Sequence, residues 1–165
     1  MRERTCCFTG HRELPVSCRT ELAARLEETI VHLYQNSIQI YEAGGALGWD
    51  TLAARTVLKL KESYSDIRLI LILPCLTQTR GWPAEDVKEY ERIKGQADSV
   101  IYTGREYTKG CMFKRNRRLV EDSCVCVCYL TRKKGGTAYT VSYALKQGLK
   151  TVNLALFQGM GYNEQ

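Results

Sequence analysis

Six short apolar runs alternate with five segments of helical periodicity along this chain, and that alternation restricts its fold more than any other feature. The run at residues 67–73 is nearly continuous and rich in branched side chains, as in a central parallel strand buried on both faces. Strands that alternate with helices predict a mostly parallel sheet, covered by helices on both faces and connected by right-handed crossovers. The predicted strands cover residues 5–8, 37–41, 67–73, 99–102, 124–130 and 151–154. The predicted helices cover about residues 18–36, 52–64, 84–95, 111–121 and 138–149, and no regular element is expected from Phe157 onward.

The size and composition of the chain indicate one soluble globular domain. Its 165 residues can bury a core without covalent or metal cross-links, and 44% hydrophobic with 25% charged residues is ordinary for such a protein. The formal net charge of +6 is compatible with nucleotides, with nucleic acid or with no charged partner. We therefore expect a single domain over residues 1–165, with its core at about residues 4–155.

Cysteine usage and the lack of long apolar segments favour a cytoplasmic protein. Five of the eight cysteines lie inside predicted strands, where a free thiol packs as a small apolar group, and no Cys-x-x-Cys pair occurs. Because only His11 and His32 are available as imidazole ligands, we predict no metal site. The amino terminus lacks the apolar core of a signal peptide, and residues 69–73 are too few to span a bilayer. We expect no membrane association, while the sequence leaves a homo-oligomer open.

A glycine-rich stretch at residues 44–50 follows the second predicted strand and precedes the second helix. Gly44, Gly45 and Gly48 lie within five residues, and Asp50 stands where it can cap the helix. Free backbone N–H groups and the helix dipole make such a turn a site for anions. The alternative is a turn that only folds the chain, because the spacing differs from G-x-G-x-x-G.

Two further turns at strand ends have a similar character. Residues 9–12 (Thr-Gly-His-Arg) combine a hydroxyl, a glycine, an imidazole and a guanidinium, a set that suits a phosphate, and we expect the imidazole to have a positioning role. Residues 135–137 (Gly-Gly-Thr) follow the fifth strand and a basic run at 132–134. Because the carboxyl ends of parallel strands share one edge of a sheet, we expect these turns to lie close together. The alternative for each is a solvated turn.

Three side chains are candidates for contacts with a sugar or a base. Gln78 and Trp82 follow the third strand and can offer an amide and a stacking plane, although Trp82 can equally belong to the core. Asn116 lies towards the apolar side of the predicted helix 111–121, where a buried amide needs hydrogen-bond partners. The basic residues of that helix suit either nucleic-acid phosphates or a solvated face. They are Lys114, Arg115, Arg117 and Arg118.

Taken in chain order, these motifs resemble the pattern of one family. The pattern comprises residues 9–12, 44–50, 73–82, 115–123 and 135–137. Over residues 4–155 the chain resembles the YpsA-like family (DUF1273) of the SLOG superfamily, which also contains the DNA-processing protein DprA and the lysine-decarboxylase-like LOG phosphoribohydrolases. The resemblance implies an α/β, Rossmann-like three-layer sandwich with a pocket for nucleotides or nucleotide derivatives.

One departure from the superfamily concerns catalysis. LOG-type hydrolases contain the pattern Pro-Gly-Gly-x-Gly-Thr-x-x-Glu, in which the Glu is catalytic. In this sequence Thr140 stands at the matching place. Hydrolysis of a glycosidic bond needs a carboxylate near the sugar. Glu42 or Asp50 could substitute for it, but the missing carboxylate favours binding over catalysis.

We therefore expect a nucleotide-binding sensor or regulatory module, with AMP, ADP-ribose or NAD as candidate ligands. The alternatives are an N-glycosidase of the nucleoside-monophosphate phosphoribohydrolase type and DprA-like binding of single-stranded DNA through the basic helix. The candidate ligand-binding residues are Thr9, Gly10, His11, Arg12, Gly44, Gly45, Gly48, Asp50, Gln78, Trp82, Asn116, Gly135, Gly136 and Thr137.

Overall fold

A computed structural model describes residues 1–157 and contains a six-stranded sheet in which every neighbouring pair of strands is parallel. The predicted α/β, Rossmann-like architecture is confirmed, and the sheet is fully rather than mostly parallel. The strands are β1 (Thr5–Gly10), β2 (Ile40–Ala43), β3 (Arg68–Leu73), β4 (Ser99–Tyr102), β5 (Val125–Tyr129) and β6 (Lys150–Asn153). The helices are α1 (Arg19–Gln35), α2 (Trp49–Lys61), α3 (Ala84–Gln96), α4 (Cys111–Glu121) and α5 (Gly136–Lys146).

The five helices form two layers, one on each face of the sheet. Helices α1, α2 and α3 pack side by side on one face, and α4 packs against α5 on the other. Because successive residues of a strand point to opposite faces, Phe8 belongs to the apolar cluster under α1–α3, whereas Cys7 belongs to the cluster under α4 and α5. Trp49, which is fully buried, anchors the start of α2 in the larger cluster.

The strand order β4-β3-β2-β1-β5-β6 places a switch in chain direction between β1 and β5. From β1 to β4 the chain adds strands on one side, and it then returns through α4 to add β5 and β6 on the other side. In open parallel sheets the crevice at the carboxyl ends of such a strand pair is where ligands bind. The topology therefore marks the edge above β1 and β5 as the first place to look for a site.

Several element boundaries differ from those predicted. Strand β2 begins at Ile40 rather than Ser37, because Ser37 adopts a positive φ of 72° while the chain leaves α1. Helix α2 begins three residues earlier than predicted, so Asp50 lies in its first turn, and Gly48 occupies the cap position predicted for Asp50. Of the predicted irregular tail only Phe157 is described, in a short 3-10 helix, and residues 158–165 lie outside the described part of the chain.

Two other structural facts bear on the sequence predictions. No disulfide bond joins any of the eight cysteines, all of which lie within the described residues. No helix within residues 1–157 combines the length and apolar character needed to cross a bilayer.

Candidate functional site

A cavity of about 460 Å³ opens at the carboxyl ends of β1 and β5, where the strand order switches direction. This volume falls within the range of small-molecule sites in proteins. The walls come from the turn after β1, the loop before α5 and the first turns of α2 and α4. The lining residues are Phe8, Thr9, Gly10, His11, Arg12, Glu13, Ala46, Asp50, Met112, Arg115, Asn116, Arg132, Lys134, Gly135, Gly136 and Thr137.

His11 connects the turn after β1 to the two neighbouring segments. Its Nε2 accepts a hydrogen bond of 2.9 Å from the Thr131 N–H, and its carbonyl oxygen accepts one of 3.1 Å from the Trp49 N–H. Burial lowers the pKa of His11, and the nearby charge of Arg132 lowers it further. The ring is therefore neutral near pH 7 and carries its proton on Nδ1. These contacts hold the loop after β5 against the turn after β1.

The glycine-rich turn after β2 contributes Ala46 and Asp50 to the cavity wall, but its three glycines pack against other parts of the chain. Gly48 has a φ of 74°, and a Cβ at this position would overlap the backbone carbonyl of Arg12. The Gly44 carbonyl accepts hydrogen bonds from Gln78 Nε2, at 3.0 Å, and from Arg115 Nη1. Neither glycine lines the cavity, and nor does Gly45. The expected role of this turn, to present backbone N–H groups to a ligand, stays a prediction for the part that lines the cavity.

Asp50 and Arg115 place two buried, opposite charges at the floor of the cavity. The Asp50 carboxylate accepts a hydrogen bond of 3.2 Å from the Ala46 N–H, and Arg115 Nε donates one of 2.7 Å to Asn116 Oδ1. Burial raises the pKa of Asp50, and the positive charge of Arg115 reduces this rise. Burial lowers the pKa of Arg115, and the negative charge of Asp50 reduces this fall. The carboxylate of Asp50 thus takes a backbone N–H that an external anion would otherwise use.

Arg115 is a cavity residue that the sequence did not single out. The four basic residues of α4 were considered as one phosphate-binding face, but only 4% of Arg115 is exposed, and Arg118 pairs with Asp122 at 2.9 Å. Lys114 and Arg117 are the exposed members of the set. A signal for Arg115 was present, because it lies four residues from both Cys111 and Leu119, on the buried stripe of the helix.

The loop after β5 forms the open, basic side of the cavity. Arg132 and Lys134 are exposed, and a Cβ at Gly135 or Gly136 would meet no atom within 4 Å apart from those of the adjoining backbone and chain neighbours. Helix α5 begins at Gly136, so the unpaired N–H groups of its first turn and its dipole favour an anion here. Arg12, Arg132 and Lys134 form no ion pair with any residue in the described part of the chain.

Gln78 and Trp82, predicted to contact a sugar or a base, lie outside the cavity lining. Besides its bond to Gly44, Gln78 accepts a hydrogen bond of 3.3 Å from the Tyr90 hydroxyl. The ring of Trp82 meets Tyr90 edge to face, with 5.6 Å between the ring centroids. These two residues therefore support the turn after β2 from below.

Of the two carboxylates considered for catalysis, only Asp50 lines the cavity. Thr140, at the position of the LOG glutamate, is buried, and its hydroxyl donates a hydrogen bond of 2.8 Å to the Gly136 carbonyl. Glu42 is buried away from the cavity, and Asp50 lines it. Among the described residues, no group of three or more His, Cys, Asp or Glu side chains is arranged to hold a metal ion.

Comparison with known proteins gives both sequence and structural matches. A sequence model of the YspA SLOG family matches residues 7–157. UPF0398 proteins of Bacillus thuringiensis strain Al Hakam and Bacillus cereus strain AH187 are each 30% identical to this chain over 126 residues, which cover 74% of this chain and 68% of each relative.

Solved structures with the same fold include two DNA-processing proteins A. That of Helicobacter pylori matches 91% of this chain with a TM-score of 0.64 and 19% identity, and that of Streptococcus pneumoniae matches 98% with a TM-score of 0.64 and 14% identity. The chain spans 64% and 63% of these proteins, which is less than two thirds of each. The structural genomics target TM1055 matches 96% of this chain, and 76% of its own length is covered, with a TM-score of 0.57 and 17% identity. At these identities the likeness is one of fold.

Proposed function

This chain belongs to the YspA SLOG family, and on that premise we propose that its cavity binds a nucleotide or a nucleotide derivative. The observation that carries the proposal is the basic, open side of the cavity. There the first turn of α5 meets Arg12, Arg132 and Lys134, none of which forms an ion pair within the described residues.

The phosphate would lie at the start of α5. The N–H groups of Gly136 and Thr137 belong to the first helical turn and have no partner inside the helix. A guanidinium from Arg12 or Arg132 can bind two phosphate oxygens at once, which adds orientation to charge attraction. Fixed N–H groups together with mobile cations are a common arrangement for anion binding.

The sugar would lie deeper, beside Asp50 and Asn116. A buried carboxylate accepts hydrogen bonds from ribose hydroxyls, and an amide both donates and accepts them. Arg115 would hold Asn116 and Asp50 in place. Its guanidinium donates hydrogen bonds to Gly44 and Asn116, and its positive charge is balanced by the negative charge of Asp50. The cavity would thus separate a phosphate end from a sugar end.

We propose a binding role without chemistry, as in a sensor or regulatory module. Thr140 stands where a LOG-type hydrolase has its carboxylate, and its hydroxyl is already bonded to the helix backbone. Asp50 is the carboxylate to test for hydrolysis, because it lines the cavity. Release of free base from AMP by the wild-type protein, abolished in Asp50→Asn, would contradict this assignment.

Isothermal titration calorimetry with AMP, ADP-ribose and NAD tests the proposal. Saturable binding of at least one of the three is expected. The double variant Arg132→Gln, Lys134→Gln should weaken that binding by about tenfold or more, since it removes two charge-assisted contacts. The matched control Lys146→Gln, Lys150→Gln removes two exposed charges away from the cavity and should leave it unchanged. Absence of binding at millimolar ligand, or equal weakening in both variants, would overturn the proposal.

Single-stranded DNA is a second candidate ligand, favoured by the surface beside the cavity. The Helicobacter pylori neighbour is a DNA-processing protein with a single-stranded DNA binding mode. In this chain Lys114 and Arg117 are exposed on the same helix as the half-exposed ring of Phe113, which packs against Tyr139. Aromatic rings interleaved with cations suit single strands. The affinity for an oligothymidylate should then fall steeply with salt, and a salt-independent or absent gel shift would remove this candidate.

A further inference from the structure

Within residues 1–157, the lining of the cavity offers a nucleobase no exposed ring on which to stack. Phe8 is fully buried, and only 7% of His11 is exposed. The remaining lining is polar or charged, except for Ala46, Met112 and the glycines. Trp82, the ring that the sequence suggested for this task, packs against Tyr90 outside the cavity. A base attached to the bound sugar therefore needs a partner beyond the lining.

An aromatic pair lies where the first turns of α4 and α5 meet. The rings of Phe113 and Tyr139 pack edge to face, with 4.9 Å between centroids and 79° between planes. Phe113 directly follows the lining residue Met112, and Tyr139 follows the lining residue Thr137 by two positions. The pair therefore lies on the two helical turns that supply Met112 and Thr137 to the cavity wall.

Both rings are unusually exposed for large apolar groups. Of Phe113, 43% is exposed, and of Tyr139, 42%. Phe113 is not among the buried residues of α4, so its ring is turned outward. An edge-to-face pair leaves the outer face of at least one ring free for a further flat group.

We propose that Phe113 and Tyr139 form a base-stacking subsite at the rim of the cavity, for the purine or pyrimidine of the nucleotide whose phosphate and ribose the cavity holds. This inference rests on the proposed function and adds to it the part of the ligand that selects nucleotides over sugar phosphates. Phosphate at the start of α5 and ribose beside Asn116 would direct the base outward past Met112. The subsite is tolerant of base identity, because every base presents a flat face.

The test compares AMP with ribose 5-phosphate, which lacks the base. Calorimetry on the wild type should show tighter binding of AMP. Phe113→Leu and Tyr139→Leu keep an apolar side chain but remove the ring, and each should reduce the affinity ratio of AMP to ribose 5-phosphate by about fivefold or more. The affinity for ribose 5-phosphate itself should not change. Leu145→Ala, at an exposed apolar position on α5 outside the cavity lining, is the control and should leave both affinities unchanged.

The outcomes separate this inference from the proposed function. If both compounds bind and the ratio stays the same in both ring variants, the subsite is wrong and the cavity proposal stands. If neither compound binds the wild type, both proposals fail. A measurement on the wild type alone guards against misfolded variants: AMP should shift the ring proton resonances of Phe113 and Tyr139, and ribose 5-phosphate should not. Equal shifts with the two compounds would overturn the subsite.

Discussion

Two glycine-rich turns follow parallel strands in this protein and precede helices, yet they differ in what surrounds them. In the turn after β2, Gly44 is pressed against the guanidinium of Arg115, and Gly48 against the backbone of Arg12. In the turn after β5, Gly135 and Gly136 are exposed, and a Cβ there would meet no atom within 4 Å apart from those of the adjoining backbone and chain neighbours. The first turn is closed and the second is open.

This difference indicates that a strand–glycine–helix pattern predicts the backbone conformation of a turn but not whether the turn packs against the protein or faces a ligand. In the closed turn the anion is internal, because the Asp50 carboxylate takes the Ala46 N–H and the carbonyl of Gly44 is bonded twice. In the open turn Gly135, Gly136 and Thr137 line the cavity. Glycine allows close packing in the first turn, and we propose that it allows ligand access in the second.

Gly48→Ala should have the largest effect on stability. The new methyl group would overlap the Arg12 carbonyl in a residue that already has a φ of 74°, so we expect a loss of about 4 kcal/mol in the free energy of unfolding. Gly136→Ala is the matched change in the open turn and should stay within about 0.5 kcal/mol of wild type. Urea unfolding measures both. Similar losses in the two variants would break the distinction between a closed and an open turn.

Arg115→Met tests the charged support of the closed turn. Removing the guanidinium leaves Asp50 buried without its opposing charge and takes one donor from the Gly44 carbonyl, so a loss of about 2–3 kcal/mol is expected. Adding Asp50→Asn should recover part of that loss, because the buried charge is then gone as well. If urea unfolding shows the two losses simply adding, the two residues are not coupled.

Glu42→Gln tests whether Glu42, in the strand that leads into the closed turn, makes the free energy of unfolding depend on pH. Burial, with the charge of Asp122, raises the pKa of Glu42 to about 9 from an ordinary value of 4.5. The folded protein thus keeps a proton that the unfolded chain releases near pH 4.5, so the stabilising effect is complete below that pH and is lost as the pH rises towards 9. The variant should be more stable than wild type at pH 8 by about 2 kcal/mol and should show a flatter profile from pH 5 to 9. An unchanged profile would mean that Glu42 ionises normally.

Gly135→Ala isolates the cost of backbone conformation in the open turn. Its φ of 107° is unfavourable for alanine, but no described atom obstructs the methyl group, so a loss of about 1 kcal/mol is expected. A loss as large as that of Gly48→Ala would show that the open turn is packed after all.

The order of elements and the edge that carries the site could be predicted from the sequence, because hydrophobic period and glycine placement are local signals. The packing around each turn could not, since it depends on residues distant in the chain. Arg115 reaches Gly44 across 71 positions, and Gln78 reaches it across 34. Nothing local to Trp82 told whether its ring would meet a ligand or Tyr90. Phe113 shows the reverse case, because an apolar side chain within a helical pattern turned out half-exposed.

An amide-resolved NMR titration of the 15N-labelled protein with AMP tests the central claim most directly. We predict saturable shifts that are largest at the amides of Gly135, Gly136 and Thr137, with those of Gly44, Gly45 and Gly48 nearly unchanged. The largest shifts at the closed turn, or no saturable shift at either turn, would contradict the account.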